Sequence, residues 1–340
     1  MSTNERPGVY TSYEVDSGLR GTGAGGAVGL AAAATSGTAG TVTAITDYLS
    51  ALTAFGSCNM TELVRILLEN GAPVVYCCPV AGSDYATAFH ALMAEESIRF
   101  MVCDSRSAAV HATLLATIEA ADEKSKYRIG VVESSDTTRA ALIGSAQALN
   151  SERMVLLSHH CSEGTVGAAA AAVCGVMAGE RDPAVPVNGA KLVGIGAIGA
   201  DFSDGDFTLL VRGGVLPLET VGGEVRVIRG ITTRSTTAGT PDAAWREVNT
   251  VLILDTVIPT VRDALHTGIA RVKNTLQTRG AIRTRVIIEL ERFLQQEIIE
   301  SYDNVTVTAD PEDPTVCLVN FSFTVAHGLN IIELNAHITV

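Results

Sequence analysis

From Ile332 to the last residue, apolar and polar side chains alternate without a break. Ile332, Leu334, Ala336, Ile338 and Val340 fall on one side, and Glu333, Asn335, His337 and Thr339 on the other. A period of two predicts a half-buried strand. Near the other end, Val9-Tyr10-Thr11-Ser12-Tyr13-Glu14-Val15 is rich in β-branched and aromatic residues and predicts a second strand, with Val9, Tyr10, Tyr13 and Val15 as its apolar positions. A glycine-rich stretch from Gly18 to Gly29 follows it and reads as a flexible tether. Neither strand has a partner nearby in the sequence, and a lone strand exposes an unpaired edge. Two readings stay open: both strands fold back onto their own sheet, or both are donated to sheets of neighbouring subunits.

Between these ends the periodicity changes twice. An apolar strand over 27–31, a Gly/Thr-rich loop and a short helix ending near Phe55-Gly56 come first. Helices over 61–69, 85–95, 107–121 and 137–149 then alternate with strands over 73–78, 98–103, 127–132 and 154–158. That alternation predicts an α/β domain, a parallel sheet with helices on both faces. A further helix is expected over 164–179, and a strand over 225–229. From 245 the texture differs: a β-rich run over 248–254, then a helix over 258–276 with Ile258, Val261, Leu265, Ile269, Val272 and Leu276 at helical spacing. A break at Gly280, a helix over 281–300 and strands over 305–308 and 316–325 complete it. The expected layout is an N-terminal arm and tether (1–25), an α/β domain (26–238), a C-terminal domain of two helices and strands (239–327) and a terminal arm strand (328–340).

Composition narrows the function. The chain has 340 residues, of which 47% are hydrophobic, enough for a sizeable core. A net charge of −13 argues against nucleic-acid binding. The start is polar, with no signal-peptide core, and the longest apolar run, 166–179, is too short to span a bilayer. Seven scattered cysteines with no C-x-x-C pattern read as reduced core residues in a cytosolic chain.

Candidate chemistry is sparse. Gly21-Thr22-Gly23-Ala24-Gly25-Gly26 is formally G-x-G-x-x-G, with Asp47 further on where a ribose-binding acid could stand. A dinucleotide fingerprint needs a buried strand immediately before the first glycine, and Val15-Asp16-Ser17-Gly18-Leu19-Arg20 is not one. A linker is the better reading; a Rossmann-type nucleotide-binding enzyme is the alternative. His159-His160-Cys161 follows a predicted parallel strand, where α/β ligand sites lie, but no further ligand is spaced to join it. Asp201 to Asp206 resembles part of a calcium loop and lacks its late Glu, so an acidic surface turn is expected. No hydrolase, P-loop or zinc-protease motif is present, and no cofactor is expected. The most segregated charge lies at 264–288: Arg271, Lys273, Arg279, Arg283 and Arg285, with no acid among them. This is either a solvated helix face or a basic patch that docks an acidic partner.

Taken in order, these blocks resemble the contractile tail sheath proteins of bacteriophages, tailocins and related injection systems. Arg6-Pro7-Gly8-Val9-Tyr10 is similar to the opening of the family's N-terminal arm. Gly26 to Ala31, with Gly37, Gly40 and Ile45 to Gly56, resembles its first strand–loop–helix block. Leu209 to Val215 and Arg229-Gly230-Ile231-Thr232-Thr233-Arg234 resemble the segment before its C-terminal domain, and Trp245 onward resembles that domain and its arm. No single motif is specific; the order of blocks carries the likeness. The resemblance implies a structural, non-enzymatic subunit that stacks as hexameric rings around a tail tube. Its arms would add strands to neighbouring subunits, with 316–325 as a template, and its basic patch would face the tube. The implied partners are further copies of the chain, the tube protein, and baseplate and tail-terminator proteins, with no nucleic acid and no membrane binding. The implied place is a virion tail or extracellular contractile particle, assembled in the bacterial cytoplasm.

Overall fold

The structure is a computed structural model and describes residues 26–122, 126–161, 164–199, 202–268 and 272–330. Both predicted arm strands, with Val9, Tyr10, Tyr13, Val15, Ile332, Leu334, Ala336, Ile338 and Val340, lie outside the described residues, as do Arg271 and the glycines up to Gly25.

The strands β1 (Ala27–Ala32), β2 (Thr43–Ile45), β3 (Val75–Pro79), β4 (Ile98–Cys103), β5 (Ile129–Glu133) and β6 (Met154–Leu157) form one sheet in the order β2-β3-β1-β4-β5-β6. All pairings are parallel except the edge pair β2–β3. The strands are mostly apolar because both faces are covered, with Arg99 and Glu133 as charged exceptions. Val28, Leu30, Phe100, Val102, Val131 and Leu157 point into one core, and Ala31, Met101, Cys103, Val132, Met154 and Leu156 into the other. The helices α1 (Tyr48–Phe55), α2 (Asn59–Glu69) and α6 (Ala168–Gly179) build the first core. The helices α3 (Tyr85–Leu92), α4 (Ala108–Asp122), α5 (Arg139–Leu149) and α7 (Asp204–Arg212) build the second.

Local rules account for the helix ends. Asp47 caps α1 by accepting from Ser50 N at 2.9 Å, and Gly56 ends it with φ of 74°. Asp84 and Thr138 cap α3 and α5 in the same way. The segment Ser203–Asp206, expected as a surface turn, is a capping box: Ser203 and Asp206 bond reciprocally and start α7. The acids there belong to the helix N-terminus.

α2 and α6 approach closely. A Cβ on Gly175 would lie 2.8 Å from Leu67 O and Asn70 Cβ, and one on Gly179 would lie 2.8 Å from Gly71 O. Five consecutive alanines, Ala168 to Ala172, keep the rest of α6 thin and buried. At the far end of β5, Arg128 is only 1% exposed. Its guanidinium donates to Ile98 O at 3.0 Å and to the carbonyls of Glu95 and Met93, closing the C-terminal end of α3.

A small antiparallel sheet follows, β7 (Lys191–Leu192), β8 (Leu218–Val221) and β9 (Glu224–Val227), in the order β7-β9-β8. A hairpin of β10 (Thr236–Thr237) and β11 (Thr240–Pro241) leads to the C-terminal helices. Here the expected boundaries are corrected. The run 248–254 is helical, the start of α8 (Val248–Gly268). Its β-branched residues favour a strand locally, but Val248, Val251, Val257 and Val261 recur at helical spacing and are all buried, so packing overrides propensity. Val272 and Leu276 are not on a buried helix face; they are 51% and 81% exposed. Gly280 is no break, but lies inside α9 (Leu276–Gln295), which Thr275 caps. β12 (Ile299–Ala309) and β13 (Cys317–Val325) pair antiparallel, and α8, α9 and β12 close a third core around Val257, Val286, Leu290 and Phe293.

Candidate functional site

A doubly wound sheet binds ligands outside the carboxyl ends of its strands, where the helices change faces. In this chain that point lies between β1, which leads to α2, and β4, which leads to α4. The crevice is stitched by the chain itself. Asp104, just after β4, accepts from Ala33 N at 2.9 Å, Asn59 Nδ2 at 3.2 Å and the Tyr85 hydroxyl at 2.7 Å. Burial, reinforced by the hydrogen bond to Asp104, pushes the Tyr85 phenol up from its ordinary pKa. The start of α6, a natural phosphate cradle, is likewise filled. Glu133, at the end of β5, accepts from Gly167 N at 2.7 Å and pairs with Arg106 at 2.9 Å. Both positions where a nucleotide's phosphates would rest hold a carboxylate. Gly26, the last glycine of the formal fingerprint, precedes β1, on the wrong side of the strand for that motif.

His159 and Cys161 also stand at the carboxyl end of the sheet, after β6. His159 is buried, 2.6 Å from Ser158 Oγ through Nδ1, with its ring 5.0 Å from that of Phe202. Burial raises the Cys161 thiol above its ordinary pKa, and burial likewise holds the His111 imidazole below its own. Among the described residues no group of His, Cys, Asp and Glu is placed to hold a metal. These are packing residues.

The basic segment is divided by its helix. Successive helical residues turn by about 100°, so Arg283 and Arg285 are about 160° apart around α9. The buried stripe of Ile282, Val286, Leu290 and Phe293 runs between them. Arg279 and Arg283 share one flank, with Lys273 exposed in the turn before the helix. Arg279 donates to Asn274 Oδ1 at 2.9 Å and Arg283 to Val305 O at 2.8 Å. Arg285 is on the other flank, where it meets Arg292, a cation that sequence spacing alone did not group with it. Both side chains are about half exposed and both lean on Glu289. The fold therefore makes two basic surfaces from one basic segment.

A second feature is the joint between the sheet and α8. Arg153 bridges Asp255 at 2.5 Å and Asp122 at 3.1 Å, and its guanidinium lies over the Tyr127 ring. Arg99 donates to Thr256 Oγ1 and Arg262 to the Tyr127 hydroxyl. Burial raises the Asp255 carboxyl, against the pull of Arg153. Sequence could not reveal this joint, because its members come from β4, the end of α4, the segments just before β5 and β6, and α8.

Comparison with known proteins agrees with this geometry. Residues 240–339 match the family model of the phage tail sheath C-terminal domain. The whole fold is similar to a chain of the anti-feeding prophage baseplate, at 16% identity and a TM-score of 0.76 over 99% of this chain and 100% of that one. It is also similar to a chain of the same particle's helical sheath in the contracted state, at 17% identity and a TM-score of 0.73 over 98% and 99%. The sheath tail protein of Desulfitobacterium hafniense follows at 12% identity and a TM-score of 0.71 over 94% and 100%. Among curated proteins none matches the sequence. The fold is thus that of a contractile tail sheath subunit along the described chain.

Proposed function

We propose that this chain is the structural subunit of a contractile sheath, polymerising as stacked hexameric rings around a tail tube and contracting to drive that tube forward. The observation that carries the reading is the sheath-family C-terminal domain ending in a two-stranded sheet. β12 and β13 pair only with each other among the described residues, which leaves two outer edges open to added strands. The proposed layout is arm (1–25), α/β domain (26–238), tube-facing domain (239–327) and arm (328–340). Val9 to Val15 and Ile332 to Val340 would supply the added strands. The closed crevice at Asp104 and Glu133 favours this over a nucleotide-binding enzyme. Further partners are the tube and the baseplate and terminator proteins, in a phage tail or extracellular injection particle.

The test is negative-stain microscopy of the purified full chain beside a chain ending at Asn330. The expected result is long tubes or rings from the first and dispersed particles from the second. Equal polymers from both would overturn strand donation by the C-terminal arm.

Of the basic segment expected to face the tube (Arg271, Lys273, Arg279, Arg283 and Arg285), the part proposed as the tube contact is Arg285, together with Arg292 on the same flank of α9. Such a contact is electrostatic and screened by salt, so it can break as the sheath widens. Changing Arg285 and Arg292 to Glu is expected to abolish co-sedimentation with purified tubes at low salt. Unchanged co-sedimentation would remove these two residues from the contact.

A further inference from the structure

α9 carries its charge against its own dipole. A helix favours acids at its N-terminal end and bases at its C-terminal end. Here the first turns hold Arg279, Arg283 and Arg285 with no acid, and Glu297 and Glu300 follow the helix; only Arg292, in the last turn, sits with the dipole. Among the described residues, Lys273, Arg279, Arg283, Asp182, Glu297 and Glu300 make no ion pair with each other or with anything else.

Each end also exposes large apolar side chains. At the basic end Val272 and Leu276 are 51% and 81% exposed. At the acidic end lies a groove of about 560 Å³ between the end of α9, the start of β12 and the 182–186 segment. Val185 and Leu329, which line it, are 44% and 73% exposed, and Asp182, Glu297 and Glu300 rim it. Glu297 holds φ of 58°, the left-handed position after a helix that glycine fills most easily. A charged residue kept there at a conformational cost is in keeping with a use for its charge.

We infer that the basic end of α9 in one copy, Val272 to Arg283, docks into the acidic groove at the far end of α9 in a second copy. The two surfaces match in both respects: two exposed apolar side chains and three unpaired charges on each, of opposite sign. On one chain they are about 25 Å apart along a rigid helix, so they cannot meet within a molecule. A contact between different patches is heterologous, and repeats into a ring or helix instead of stopping at a dimer. This rests on the sheath reading, and assigns Lys273, Arg279 and Arg283 to a contact between copies, apart from the flank of Arg285 and Arg292.

The test is the critical concentration for polymer formation by the full chain, read by sedimentation at low salt. Reversing Arg279 and Arg283 to Glu, or Glu297 and Glu300 to Lys, is expected to raise it about tenfold or more. Combining both reversals is expected to restore it, because the charges again match. Leu329→Asp, a change at an exposed position with no fold to break, is expected to raise it as well. If the single reversals and Leu329→Asp leave the critical concentration of a polymerising chain unchanged, the docking is overturned and the sheath reading stands. If the wild-type chain never polymerises, both fall together.

Discussion

Replacing Arg128 with methionine is expected to destabilise the chain by about 2–4 kcal/mol, read as a shift in the midpoint of chemical denaturation. Arg128 is buried, and among the described residues no carboxylate bonds to it; its partners are the Met93 sulfur and the backbone carbonyls of Ile98, Glu95 and Met93. Burial holds its pKa below the ordinary arginine value. The carbonyls of Met93 and Glu95 lie between α3 and β4, and that of Ile98 is on the first residue of β4. Each buried carbonyl left without a donor costs about 1–3 kcal/mol. Methionine fills much of the volume, and the release of a buried charge offsets part of the loss, which is why the expectation stays below the sum. Lysine is not expected to rescue, since one ammonium cannot reach carbonyls that a planar fork serves together. A shift below about 1 kcal/mol would mean that water reaches these carbonyls once the guanidinium is gone.

A comparable loss is expected from Gly175→Val. The added Cβ alone meets Leu67 O and Asn70 Cβ at 2.8 Å, and the neighbouring Gly179 already touches Gly71. Backbone on both sides cannot yield as a flexible side chain would, so α6 must move away from α2. Overpacking of this kind costs about 1–3 kcal/mol, and more where two branched methyls follow the Cβ. Gly175→Ala is expected to cost less but to remain measurable. A neutral valine variant would show that the α2–α6 contact can slide. The position is also informative about assembly: a widened first core would reach β1, and with it the segment entering from the N-terminal arm.

The middle of the fold was legible because its chemistry is local. The strand β4 lies over 98–103, as its largely apolar run, interrupted only by Arg99, predicts, and α1 ends at Phe55, where Gly56 marks its stop. The C-terminal helices were less legible for two reasons. Val248 to Leu254 looks like a strand until Val248 and Val251 are seen to pack into the first core, while Ile253 and the following Val257 and Val261 pack into the third core with α9. Gly280 looks like a break but is an ordinary helical residue, with open space around it and a capped turn ahead. The basic segment was visible as a run of charges. Its division into two flanks was not, because the division depends on where α9 begins and which stripe is buried. The acidic groove was invisible in sequence, since Asp182, Glu297 and Leu329 come together only in the fold.

The place of β1 in the sheet has a mechanical consequence. It is the first described strand, residues 1–25 precede it in the sequence, and it lies between β3 and β4, hydrogen-bonded to both in parallel. Were residues 1–25 tied to a neighbouring subunit, as proposed, tension through them would run along the strand and load both ladders in shear. The hydrogen bonds from Val28 to Ala31 then resist together instead of opening one after another, as a strand peeled from an edge would. On the proposed sheath role, a sheet whose crevice is sewn closed by Asp104 would serve as a tension plate, loaded through a strand held on both sides.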